Sequence, residues 1–194
     1  MEFYNKDFGI FKYLYKNYPN EYFDLFSFEV CSNFFPTVPK DGIDIWNQTK
    51  LLESSFYQDP WYIIRIKNFK IFANSFTLST HYIGELDYPK HIIVEGSFLQ
   101  GPWVTLQNKS IGDDMNGHDR KVYYSLSEGL YDSFRLTMIG LDTRGENLFV
   151  IKNLDFYGKL IPKFAILKIN TCIPSYFQSF FNFISFLSPF VLLC

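Results

Sequence analysis

The sequence predicts an all-β chain of about eight antiparallel strands in a sandwich or barrel, with a short helix in front and an apolar tail behind. Three observations carry this expectation. Between Phe23 and Leu160, runs that alternate or are apolar on both faces recur at short spacing. The segments between them are rich in Gly, Pro, Asn and Asp, and no helical periodicity separates them. Composition agrees: of 194 residues 47% are hydrophobic and 21% aromatic, with 23 Phe and 14 Tyr, side chains that suit the half-buried faces of a sheet.

Three regions follow, at residues 1–22, 23–160 and 161–194. In the first, Asp7 is a candidate N-cap, and Phe8, Phe11, Leu14 and Tyr15 share a helical face that continues to Tyr18. Pro19-Asn20 ends that helix. Its apolar stripe is expected to pack on the rest of the chain.

In the middle region, Phe26 to Ser32 alternates cleanly. Trp61 to Lys70 reads as one central strand, with Trp61, Ile63 and Arg65 opposite Tyr62, Ile64 and Ile66. The stretch from Asn74 to Tyr82 sets Phe76, Leu78 and Thr80 against Ser75, Thr77 and Ser79, a pattern with one buried face. "KHIIVEGS", "WVTLQ", "KVYYSL", "SFRLTMIG" and "LFVIKNLDFYG" are the remaining strands. No internal repeat is visible.

Within these strands the order Glu95-Gly96-Ser97, Trp103, Asn116-Gly117, Phe134-Arg135-Leu136 and Phe156-Tyr157-Gly158 resembles the discoidin-like, or coagulation-factor type C, domain. The nearest likeness is to its intracellular branch, whose members often stand beside BTB domains. Trp61 in "QDPWYIIRIKNFKIFANSFTLSTHY" looks like that family's central anchor. The resemblance covers about residues 23–160 and rests on order and spacing, not on one motif. It implies a jelly-roll β-sandwich of the galactose-binding-like superfamily. The last strand then lies beside early strands, with Ile151, Leu154 and Phe156 as candidate core residues. Gly158 lets the chain leave a crowded edge. Arg135 is expected to be a structural charge, paired with Asp155 or Glu95. The superfold recognises ligands through loops held by a rigid sandwich.

Function is read more coarsely. Formal charge is -2, with 18 basic against 20 acidic residues, and no basic stripe offers a footprint for nucleic acid. His81, His91 and His118 are isolated, and no metal-ligand spacing, nucleophile elbow, phosphate loop or CxxC occurs. Neither catalytic residues nor a cofactor are expected, and a glycan-processing enzyme is the weakest reading. Asp113, Asp114, Asn116 and Asp119 could offer oxygen to Ca²⁺, but Gly112 breaks the EF-hand spacing, so the loop is expected to be a solvated turn.

The expected function is a non-catalytic module that recognises a protein or carbohydrate through loops at one end of the sandwich. Its candidate ligand-binding residues are Phe34, Phe35, Trp46, His81 and Tyr82. Paired aromatics could stack on a sugar or enter a partner's pocket; the blander reading is that Phe34, Phe35 and Trp46 cover the sandwich's open end. With no assembly domain in front, a monomer is the default.

Cys31, Cys172 and Cys194 are too few and too distant for a disulfide scaffold, and the N-terminus lacks an uninterrupted apolar core. A cytoplasmic setting is therefore expected, in which the sequons at Asn47 and Asn108 are silent. After Lys168 no charge occurs, and residues 176–194 approach the roughly 20 residues needed to cross a bilayer. Gln178, Asn182 and Pro189 dilute that run. It reads as a membrane anchor, a core element or a foreign extension from a shifted reading frame. An anchor would make the chain a membrane-tethered lectin-like or adhesion protein, the alternative function.

Overall fold

The structure, a computed structural model, describes residues 2–3, 9–31, 52–54, 58–79, 88–111, 121–151 and 153–163. One helix, α1 (Ile10–Asn17), and a 3₁₀ turn at Tyr22–Leu25 precede most of the strands. In chain order these are β1 (Glu2–Phe3), β2 (Phe26–Val30), β3 (Leu52–Ser54), β4 (Trp61–Ile66), β5 (Phe69–Ser79) and β6 (His91–Ser97). The rest are β7 (Val104–Ser110), β8 (Lys121–Tyr131), β9 (Ser133–Met138), β10 (Phe149–Ile151) and β11 (Asn153–Pro162).

Two sheets face each other. One has four strands in the order β1-β11-β5-β8, the other five in the order β2-β4-β9-β6-β7, and β10 pairs with β3 in a small ribbon. The described ladders are antiparallel. This is the all-β sandwich expected, with the crossed strand order of a jelly roll. Residues 1–161 form one compact unit and residues 162–194 a second; of the latter, only Pro162 and Lys163 are described.

Period-2 alternation decides what each strand of the five-stranded sheet buries. Tyr62, Ile64 and Ile66 of β4 point inward with Phe134, Leu136 and Met138 of β9 and Ile92 and Val94 of β6. From the opposite sheet come Phe76 and Leu78 of β5 and Leu154 and Phe156 of β11. Phe134 stacks on Phe156 with ring centroids 4.0 Å apart, so the two sheets meet through a direct aromatic contact. The side chain of Ile151 lies outside the described residues.

Helix α1 buries Ile10, Phe11 and Leu14 in the same core, and Phe11 meets Phe26 and Phe156 edge-on at 5.2 and 5.5 Å. Its start departs from expectation. The N-cap is Gly9, not Asp7, and the missing side-chain acceptor comes from a distant strand. The buried carboxylate of Asp155 accepts the backbone N–H of Phe11 at 2.7 Å and of Lys12 at 3.5 Å. A Cβ at Gly9 would lie 2.0 Å from that carboxylate carbon, so only glycine leaves room. A negative group is well placed at the helix N-terminus, where unpaired N–H groups concentrate positive charge.

Three further expectations are corrected. The run from Trp61 to Lys70 is not one strand: the chain turns at Lys67-Asn68 and crosses from one sheet to the other, with the Lys67 N–H donating to the Leu25 carbonyl at 2.8 Å. The final run divides into β10 and β11, which serve different sheets. Gly158 does not release the chain at an edge. It lies within β11 at φ 138°, and a Cβ there would come within 1.9 Å of the Phe72 carbonyl oxygen, so its role is close approach to β5. The face of β5 expected to be solvated is also largely covered, since Thr77 and Ser79 are buried.

Candidate functional site

Phe34, Phe35, Trp46, His81 and Tyr82 lie outside the described residues, as do Asp113, Asp114, Asn116, Asp119 and residues 176–194. Among the described residues no helix is long and apolar enough to cross a membrane, and no group of three or more His, Cys, Asp or Glu could hold a metal ion. His91 hydrogen-bonds the side chain of Asn108. The Cys31 thiol is raised by burial, and its Sγ accepts the Trp61 N–H at 3.1 Å, so it is tied into the end of β2.

The described chemistry gathers on the outer face of the five-stranded sheet. Residues paired across antiparallel strands share a face, so the registers define two rows. One runs Glu29, Ile63, Arg135, Glu95, Thr105; the next runs Ser27, Arg65, Ser133, Ser97. Arg135 makes a forked ion pair with Glu95, Nε to Oε2 at 2.5 Å and Nη2 to Oε1 at 2.9 Å. Of the two partners expected for it, Glu95 is therefore the one used. The Arg65 guanidinium pairs with the Glu29 carboxylate diagonally, from β4 to the edge strand β2.

Beside these rows lies a concavity of about 370 Å³, lined by Ser27, Glu29, Arg65, Ser97, Gln100, Gly101, Trp103 and Ser133. That is the lower end of the range of small-molecule sites. Trp103 stands just before β7, and the Arg135 guanidinium lies 4.9 Å from its ring centroid, a cation–π contact that steadies the indole. The short serines leave the space, while Arg65 and Glu29 on one side and Trp103 and Gln100 on the other bound it.

The Gln100 wall is a tight turn. The Gly101 N–H donates to the Phe98 carbonyl at 2.9 Å, and both central residues are left-handed, Leu99 at φ 50° and Gln100 at φ 58°. Such a turn suits the twist at the end of a strand pair but favours Gly, Asn or Asp at its centre. It is fastened from below. The buried Asp132 accepts the Leu99 N–H at 3.4 Å and the Ser133 hydroxyl at 3.0 Å. The Ser97 hydroxyl donates to the Gly101 carbonyl at 2.8 Å, and the Lys70 ammonium lies over the Phe98 ring at 4.5 Å.

Sequence reasoning singled out Trp103 as an element of a resemblance and Arg135 also as a structural charge, and did not reach Glu29, Arg65 or Gln100 as site residues. The available signal was charge on the outward positions of central strands, Arg65 on β4 and Arg135 on β9. The diagonal meeting of Glu29 and Arg65 depends on strand register, which the sequence does not state.

No protein-family model matches the chain, and no curated protein matches it. Solved structures do. The C-terminal domain of a Bacteroides fragilis chitobiase aligns with a TM-score of 0.56 at 15% identity, covering 71% of this chain and 95% of that one. The Clostridium perfringens module CpGH89CBM32-5, solved with GalNAc-β-1,3-galactose, aligns at 0.56 and 10% identity over 70% and 96% of the two chains. An F5/8 type C domain of Bacteroides fragilis aligns at 0.54 and 11% identity over 70% and 93%. The chain therefore shares the jelly-roll β-sandwich fold of these structures.

Proposed function

We propose that this chain is a non-catalytic glycan-recognition module and that the sugar lies in the concavity between Trp103 and the Arg65–Glu29 pair. The observation that carries the reading is the make-up of that concavity: an indole, a guanidinium, a carboxylate and a primary amide around a floor of serine hydroxyls. Sugars present apolar C–H faces and paired hydroxyls. An aromatic ring takes the first, and planar forks of donors and acceptors take the second. A module of the same fold solved with a galactose-containing disaccharide gives the reading its support.

The reading is of binding without turnover. Glycoside hydrolysis uses two carboxyl groups flanking the bond, whereas Glu29 is the one carboxylate among the described residues of the lining. Among the described residues the lining is also charge-balanced, one Arg against one Glu, which suits an uncharged saccharide.

Glycan-array binding of the full-length chain, followed by calorimetry, tests the reading against Trp103→Ala. The expected result is saccharide binding weakened about tenfold or more by the substitution, on the scale of losing an aromatic contact. Binding indifferent to Trp103 would move the site elsewhere.

A further inference from the structure

The turn from Phe98 to Gly101 is costly in a way its packing does not explain. Leu99 and Gln100 both sit in the left-handed region, where an L side chain crowds the following carbonyl and costs roughly 1–2 kcal/mol per residue. Neither residue recovers that cost by burial. Leu99 is 67% exposed, and Gln100 is exposed as well. Glycine at either position would relieve the strain.

Strain of this kind persists where the surrounding structure fixes it, and it concentrates at ligand sites. Here the fixing contacts are explicit: the Asp132 carboxylate on the Leu99 N–H, the Ser97 hydroxyl on the Gly101 carbonyl, and the Lys70 ammonium over Phe98. What they hold in place is Gln100, on the wall of the concavity opposite Arg65 and Glu29. Among the described residues the Gln100 amide has no hydrogen-bond partner, and neither does the Trp103 indole N–H. The side-chain amide therefore presents two donors and an acceptor at the mouth of a polar site, on a backbone that is pinned before any ligand arrives.

From this we infer that Gln100 is the specificity-determining residue of the concavity, reading the configuration of a sugar hydroxyl through its side-chain amide. The inference rests on the glycan-binding reading above and adds to it the group that discriminates. The Ser97 and Ser133 hydroxyls already donate to the Gly101 carbonyl and the Asp132 carboxylate, and Arg65 and Glu29 are engaged with each other. The pinned turn keeps the Gln100 amide on that wall of the concavity, so an epimer that turns its hydroxyl away forgoes the hydrogen bond to it.

Four full-length proteins test this: wild type, Leu99→Gly, Gln100→Gly and Trp103→Ala. Each is measured for thermal stability and for binding to GalNAc-β-1,3-galactose and to an array of neutral mono- and disaccharides that includes hydroxyl epimers. Both glycine variants should raise Tm by about 2–4 °C through relief of strain. Leu99→Gly should keep wild-type affinity within about twofold. Gln100→Gly should lose about tenfold in affinity for the preferred saccharide and should flatten the preference between epimers. Gln100→Asn, which tolerates the left-handed backbone better than Gln, should raise Tm by less than the glycine variants do and keep part of the preference.

The assignment is overturned if Gln100→Gly keeps its epimer preference. It is also overturned if Leu99→Gly loses as much affinity as Gln100→Gly, which would make backbone rigidity the selective feature, or if the glycine variants are destabilised. Failure of the underlying reading looks different: no saccharide on the array binds, or Trp103→Ala binds as well as wild type.

Discussion

The two faces of the five-stranded sheet are made by the same strands, one residue out of phase. Phe28, Ile64, Phe134 and Gly96 form a row across the inner face; Glu29, Ile63, Arg135 and Glu95 form the neighbouring row across the outer one. Inside, Phe134 stacks on Phe156 of the other sheet and Phe28 on Tyr62 of the neighbouring strand. Outside, order comes from ion pairs and hydrogen bonds that water partly screens. Energy of folding is thus concentrated on one face, and the other is left to vary its chemistry at small cost. Ile63 marks the boundary: it points outward, between Glu29 and Arg135 in the row, yet is only 7% exposed.

The comparison breaks most clearly at Phe134. Phe134→Ala removes a fully buried ring from between the sheets and should cost about 3–5 kcal/mol, the transfer energy plus that of the cavity. Urea denaturation should show the lower midpoint, with little change in slope. A cost below about 1 kcal/mol would mean that the sheets do not depend on this contact.

Overpacking should come next. At Gly96 an added Cβ would lie 2.6 Å from the Tyr131 ring, which reaches across from β8. Burial raises the Tyr131 hydroxyl above the ordinary tyrosine value, in keeping with a ring wedged against the inner face. Gly96→Ala should therefore destabilise by about 1–3 kcal/mol. Gly96→Ala combined with Tyr131→Ala should cost less than the sum of the two single changes, because the clash is absent once the ring is removed.

Legibility in the sequence divided along the same line as energy. The inner face could be read from alternation alone: Tyr62, Ile64 and Ile66 were assigned to one side of β4, and they are buried. Burying one face of a strand leaves a period-2 signature that needs no knowledge of its neighbours. The break at Lys67-Asn68 left no such mark, because the residues on both sides of it are apolar and β-prone. The cap of α1 escaped for a different reason. Its acceptor, Asp155, is 144 residues from the N–H it receives, and local cap rules look only for a neighbour. The outer-face concavity needed register across four strands and a turn of unfavourable residues, neither of which a single sequence reveals. Of the candidate site, Trp103 and Arg135 were visible as residues, but their meeting was not.

Arg135 tests whether the outer face contributes to folding at all. Its forked pair with Glu95 is partly exposed, 31% and 15% for the two side chains, so screening reduces its worth. Arg135→Gln should cost about 1 kcal/mol, seen as a fall in Tm of about 2–4 °C. The difference from wild type should shrink in about 1 M salt, where screening reaches within a few ångströms. A salt-independent loss near that of Phe134→Ala would show that this pair belongs to the core's energetics, and the contrast between the faces would fail.

The smallest effect on folding, and the most informative for recognition, is expected at Glu29. Its carboxylate is 51% exposed on an edge strand, and its pairing is with Arg65, itself 31% exposed. Glu29→Gln should change stability by no more than about 0.5 kcal/mol. It does change the charge of the concavity, since Arg65 loses its counter-ion while Trp103, Gln100 and the serines stay in place. A neutral saccharide then loses an acceptor, and a carboxylated or sulfated one gains an unopposed guanidinium that can grip it with two parallel hydrogen bonds. The variant should accordingly bind neutral sugars more weakly and acidic sugars more strongly than wild type, with an unchanged melting curve. If the relative affinities for neutral and acidic saccharides stay as they were, the Arg65–Glu29 pair is a surface contact of the sheet and takes no part in recognition.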